Sequence, residues 1–105
     1  MMRIYERFYR LIENGSKTIE VRVAYLGMQS IKVGTIIRFV SGRSSCDRRV
    51  IRVARYNSFA EMMRQEDPKK INPHQSAEDQ LCEIRKIFPS NKEKIGVLAF
   101  EFVLT

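Results

Sequence analysis

The sequence predicts an α+β fold, a small antiparallel β-barrel with helices at its side. Three observations carry this expectation. The elements run helix, strands, two helices, strand, so helices alternate with strands too rarely for a doubly wound sheet. The last stretch, "IGVLAFEFVLT" from Ile95 to Thr105, is apolar on both faces apart from Glu101. Such a strand belongs in mid-sheet or in a closed barrel. The chain of 105 residues is of a length for one domain, residues 1–105, with a core that needs neither metal nor disulfide.

The first element is "IYERFYRLIENG". Ile4, Phe8, Leu11 and Ile12 recur at helical spacing, and Gly15 follows as a helix C′ residue should. The pattern predicts a helix over 3–13, with Tyr5 and Tyr9 near its apolar stripe as packing residues. A strand begins at Thr18. Ile19, Val21 and Val23 share one face; Thr18, Glu20 and Arg22 share the other. "GTIIRFV", Gly34 to Val40, reads as the next strand, with Ile37 and Phe39 on one face. "SGRSSCD", Ser41 to Asp47, is polar and reads as a hairpin loop. Its partner strand is "RRVIRVARY", Arg48 to Tyr56, with Ile51 and Val53 as its buried face. Arg48 and Arg52 then point the other way, as Arg38 does on the preceding strand.

Ser58 and Glu61 have capping-box spacing at the head of a helix whose apolar side is Phe59, Met62 and Met63, and Pro68 ends it. "PKKINPH" reads as a loop. Ser76 caps a further helix, "AEDQLCEIRKIF", with Leu81, Ile84 and Phe88 as its buried stripe and Pro89 as its stop. "SNKEK" reads as a solvated connector into the last strand, where truncation is expected to unfold the domain.

Charge narrows the function classes. Nineteen Lys and Arg oppose twelve Asp and Glu, for a net charge of +7, and twelve of the nineteen are Arg. Arg suits bidentate phosphate contacts and stacking on bases, which favours RNA or DNA as partner ahead of a membrane surface. The N-terminus "MMRIYERFYR" has no apolar core of a secretory signal, and no apolar run approaches the about 18 residues that span a bilayer. Cys46 and Cys82 fit no zinc spacing and read as reduced thiols of a cytoplasmic protein.

Several chemistries drop out. The one histidine, His74, sits in a loop, and no metal-ligand cluster, Gly-rich phosphate loop or dinucleotide fingerprint is present. No cofactor is implied. Two clusters remain. Lys17 lies at the turn before a strand face that carries Glu20 and Arg22, a group able to hold a phosphate, orient a base or move a proton. The alternative is a solvated strand face with an ion pair of little weight. Arg38, Arg48 and Arg52 would form a one-sided basic ribbon that tracks a nucleic-acid backbone, with Arg43 and Arg49 near its tip and Tyr56 as a stacking surface. The alternative there is a soluble hairpin with its like charges offset by Asp47 and solvent.

"IENGSKTIEVR" resembles the signature of ASCH domains, a branch of the PUA-like superfamily: a helix ending in Gly, then Lys-Thr, then a strand carrying Glu and Arg. "VGTIIRFV", "VARYNSFAEMM" and "IGVLAFEF" are similar to later segments of the family, so the resemblance spans nearly the whole chain. It implies a small barrel with a cleft beside it, faced by Lys17, Glu20 and Arg22, and a role in binding RNA or a nucleoside. Thr18 joins these as a ligand-binding candidate, with Arg38, Arg48, Arg52 and Tyr56. Some compact ASCH proteins are amidohydrolases that deacetylate N4-acetylcytidine, with a motif Lys-Thr-x-Thr-x-Arg and a later Glu. Here Glu20 stands in place of the second Thr, and "KKINPHQS" has no acid. A few other family members are ribonucleases, and a hydrolase built on this chain, acting on a modified nucleoside or on RNA, would rest on Lys17, with Glu20 as a base toward water.

Overall fold

The computed structural model describes residues 1–105. Five strands form one curled, mixed sheet in the order β1-β3-β4-β5-β2: β1 is Met2–Arg3, β2 Ile19–Val23, β3 Ile36–Ser41, β4 Ser44–Tyr56 and β5 Val97–Leu104. The sheet is a half-barrel with helices packed against both of its faces. The expectation of an antiparallel barrel is corrected at one edge. Met2 and Arg3 pair in parallel with Phe39 and Val40 of β3. Two residues are too short a run for alternation to announce a strand. Ile4 follows the same edge, its N–H donating to the carbonyl of Val40, so helix α1 starts later than the sequence predicts, at Glu6–Glu13.

The long apolar strand β5 does lie in mid-sheet, between β4 and β2. Its alternation splits the core in two. Val97 and Ala99 face one layer with Ile19, Val21, Val23, Phe59 and Met62. Leu98, Phe100 and Phe102 face the concave side, where Phe39, Val50, Tyr9 and Ile12 pack. Phe100 and Phe102 are fully buried, each stabilising the fold by roughly 1.5–3 kcal/mol relative to an exposed side chain.

The predicted hairpin loop over 41–47 contracts to a two-residue turn, because Ser44 to Asp47 join the ladder opposite Phe39 to Ser41 and Arg38. Gly42, at φ +58°, supplies the left-handed backbone such a tight turn requires. Farther along β4 the ladder slips: Val50 pairs with Phe102 but Arg52 with Glu101, which leaves Ile51 as a bulge. The bulge reverses the alternation. Val50 is buried and Ile51 exposed, opposite to the face read from the sequence.

The helices sit as the capping residues direct. The hydroxyl of Ser58 accepts from the N–H of Glu61 at 3.0 Å to start α3, Phe59–Gln65. That of Ser76 accepts from Asp79 at 3.1 Å to start α5, Ala77–Ile87. Three single turns were not apparent in the sequence: one over Leu26–Gln29 (α2), one over Pro68–Ile71 (α4) and one over Ser90–Glu93 (α6). Asp67 accepts from the N–H of Lys69, so Pro68 opens a new turn as well as closing α3. Within the expected connector, Glu93 accepts from the N–H of Phe59 and ties it to the start of α3. No helix is long and apolar enough to cross a membrane.

Candidate functional site at the seam of the half-barrel

The two edges of the sheet, β1 and β2, are joined by a side chain where a closed barrel would have a ladder. Arg22 donates from Nη2 to the carbonyl of Arg3 at 3.0 Å. Along this seam runs a cleft of about 380 Å³, walled by the start of α1, the open edge of β2, the α4 turn and helix α5. Because β2 is an edge strand, both of its faces reach the cleft: Glu20 and Arg22 from one, Val21 from the other.

Lys17, Glu20 and Arg22 are brought together on its floor. The Lys17 ammonium donates to the carbonyls of Ile19 at 2.6 Å and Ile71 at 2.9 Å, and lies 3.2 Å from Glu20 Oε1. Those three contacts account for its three protons. Glu20 Oε2 accepts from Arg22 Nε at 2.8 Å. Lys17 and Glu20 are buried, with side chains 3% and 10% exposed, while Arg22 is 22% exposed and keeps Nη1 outside all of these bonds. Burial pulls the Lys17 ammonium below its ordinary pKa, with the Glu20 charge opposing the shift. For Glu20 burial alone would raise the pKa, but the Lys17 and Arg22 charges outweigh it and the carboxyl is held below its usual range.

The walls are apolar. Phe8 and Tyr5 come from the first part of the chain, Ile84 and Ile87 from α5, and Phe88 from the residue that caps its C-terminus. The stripe expected to be buried on α5 is only half-buried for this reason: Leu81, Ile84 and Phe88 touch the core, and Ile84 and Phe88 also face the cleft. Tyr9 is a core residue, but Tyr5 is 60% exposed at the cleft rim, and the expectation that it packs inside is corrected. An ion pair between Arg7 and Glu83, 3.1 Å, links α1 to α5 at the surface. Glu83 also borders a smaller groove of about 270 Å³ that His74 helps to line.

The other candidates lie elsewhere. Thr18 is half-buried and outside the cleft; its N–H donates to the carbonyl of Lys70 and its carbonyl accepts from Phe102. The expected one-sided ribbon of Arg38, Arg48 and Arg52 does not form. Arg48 lies opposite Ile37 on the concave face and is buried, donating to the carbonyls of Asp47 and, at the end of α1, Ile12. Past the bulge, Arg52 falls on the α3 side, where it forks onto Glu66 at 3.0 and 2.5 Å and reaches Glu101 at 2.8 Å. Hydrogen bonds from Arg52 hold both carboxyls below their usual range, against the upward pull of burial. Tyr56 donates its hydroxyl to Glu66 and packs against the α3-side core, so its ring is not a free platform. Arg38 is exposed and paired with Asp47 at 2.9 Å.

Sequence reasoning missed most of the walls and the polar end of the cleft. Gln80, Asn72 and Gln75 line it, yet each reads as a surface residue of a loop or helix. Arg3 lines it too, through the unforeseen β1.

Comparison with known proteins bears on the whole chain. The crystal structure of the hypothetical protein PH0355 is 32% identical, with a TM-score of 0.87 over 96% of this chain and 94% of that one. The solution NMR structure of protein PF0455 from Pyrococcus furiosus is 34% identical, with a TM-score of 0.76 over 96% of this chain and 92% of that one. No curated protein matches. A family model described as "ASCH domain" matches residues 2–105, and with that match over this curled sheet and its seam, the chain belongs to the ASCH domain family.

Proposed function

We propose that this protein binds RNA or a nucleoside, taking one base into the seam cleft, and that residues 1–105 act as one PUA-like binding domain. The observation that carries this reading is the make-up of the cleft. Flat aromatic and aliphatic walls from Phe8, Phe88 and Ile84 stand over a floor where Arg22 keeps donor capacity. Unpaired bases are held by stacking on such surfaces and by hydrogen bonds to their edges. A volume of about 380 Å³ falls at the small end of ligand sites, which run from about 300 to 1,000 Å³. That suits a base with its sugar and excludes a duplex. The net charge of +7 favours a polyanion.

The same hydrogen bonds weigh against the hydrolase alternative. Lys17, an ammonium with all three protons engaged, has no lone pair to activate a nucleophile and no free proton to polarise a carbonyl, and Glu20, held ionised between two cations, is a weak base. The test is calorimetric titration with the four ribonucleoside monophosphates and short single-stranded RNA. Ile87 is a wall residue 38% exposed, so Ile87→Glu should leave the unfolding midpoint nearly unchanged. The carboxylate it adds should weaken binding at least tenfold. If none of the RNAs or nucleotides binds at millimolar concentration, the reading fails.

A further inference from the structure

Gln80 is a polar residue on helix α5 that is 5% exposed. Its Nε2 lies 2.7 Å from the carbonyl of Pro68, 3.0 Å from that of Asn72 and 3.0 Å from that of Gln75. Three carbonyls around one end of the amide fix its orientation. The flipped amide would set its oxygen against three acceptors. The oxygen is therefore held at the other end, and Oε1 is a buried acceptor with no hydrogen-bond partner in the protein. It is the one buried side-chain polar atom of the fold in that condition. An unmade hydrogen bond at a buried group costs about 1–3 kcal/mol, so such an atom calls for an explanation. Gln80 lines the seam cleft, as does Arg22, whose Nη1 takes no part in its bonds to Glu20 and Arg3.

Resting on the nucleoside reading of the cleft, we propose that Gln80 selects the base: its Oε1 accepts a hydrogen bond from a ring N–H or exocyclic amino group of the bound base. An oriented acceptor discriminates by chemistry as well as by shape. A base that offers an N–H satisfies the carbonyl. A base that presents a lone pair or a methyl group there leaves the acceptor buried and unpaired. Sites built to hydrogen-bond a donor reject analogues without it far more strongly than apolar pockets reject an extra methylene. The α4 turn and the loop after it, Pro68 to Gln75, hold the amide in place, so the selecting atom stands on a rigid support.

The ligand itself supplies the cleanest test, because it needs no change to the fold. Binding of the four ribonucleosides is compared with binding of 3-methyluridine, N4,N4-dimethylcytidine, N6,N6-dimethyladenosine and 1-methylguanosine. The best-bound nucleoside should lose at least tenfold in affinity on methylation. In Gln80→Leu, whose folding is checked by thermal melting, that difference should fall to less than threefold. Should the variant not fold, the side-chain amide signals of Gln80 in the wild-type protein decide. They should shift on adding the parent nucleoside and stay in place on adding the methylated one. If the parent and methylated ligands bind equally, the assignment of Gln80 fails and the nucleoside reading stands. If none of the eight binds, both fail.

Discussion

At the scale of residues, Lys17 shows how a buried charge is held in the floor of the cleft. It enters the cleft floor with all three protons engaged, on two backbone carbonyls and on Glu20. Removing it leaves Glu20 with Arg22 alone and takes the ammonium donor from the carbonyls of Ile19 and Ile71, and breaking a buried pair costs about 3–5 kcal/mol. Lys17→Met should therefore lower the unfolding free energy by about that amount at pH 7, read by urea denaturation. The size of the loss should depend on pH. In the wild type, Glu20 is held below its ordinary value of 4.5. As pH falls below 4.5, the unfolded chain takes up a proton on this group before the folded one does, and wild-type stability drops. In the variant Glu20 keeps only Arg22 as a cation partner, so its carboxyl is held less far down and the folded protein loses less as it is protonated. The gap between the two proteins should thus narrow from pH 7 to pH 3; a gap that stays constant would show that Lys17 acts only through the two carbonyls. The trio itself was legible in the sequence, because Glu20 and Arg22 lie two apart on a strand and Lys17 stands at its entrance. That it is buried was not, since nothing in "NGSKTIEVR" tells that α4 and α5 close over this face.

Among elements, strand β4 explains where sequence reading stopped. Simple alternation from Arg48 to Tyr56 puts Arg48 and Arg52 on one face, and it holds only while the ladder is regular. The bulge at Ile51 breaks it, and a β-branched apolar residue at that point gives no warning, whereas Gly would. The elements with caps and stops, α1, α3 and α5, were legible to within a few residues. So were β2, β3 and the central place of β5. The two-residue β1 was not, and with it went the mixed character of the sheet. The bulge makes a sharp prediction. Deleting Ile51 leaves Val50 opposite Phe102 and Arg52 opposite Glu101, with every later pair intact. Deleting Val53 moves Ala54 to the concave side and swings Arg55 into the layer of Phe59 and Met62, burying an unpaired charge. The first deletion should give a protein with a cooperative thermal transition by circular dichroism, the second one without. Loss of the transition in both would mean that the curl introduced by the bulge is itself indispensable.

The whole molecule sorts its cations by their freedom to act. Arg52 and Lys70 serve the Glu66 and Glu101 carboxylates, Arg48 closes the end of α1, and Lys17 and Arg22 hold Glu20. A formal charge of +7 therefore overstates what a polyanion meets at any one place. Strand register shows where cations remain exposed. Arg3 pairs with Val40, two residues from Arg38, and Arg49 pairs with Ile36, so Arg3, Arg38 and Arg49 share the outward face of β1, β3 and β4. All three are exposed, and Arg3 also lines the cleft. On the proposed reading, a single strand with its base in the cleft would run its phosphates over this face, in place of the Arg48 and Arg52 ribbon that the sequence suggested. Each phosphate contact with a single strand contributes about 0.7 to the slope of log affinity against log salt. Arg3→Ala and Arg49→Ala should each reduce the slope for a short single-stranded RNA by about that amount, and the double variant by about 1.4. Arg52→Gln, whose losses fall on Glu66 and Glu101, should lower the melting temperature and leave the slope unchanged. The reverse pattern, with the slope following Arg52 and indifferent to Arg3 and Arg49, would place the backbone path farther along that same face, beside Glu66 and Glu101, and detach it from the cleft.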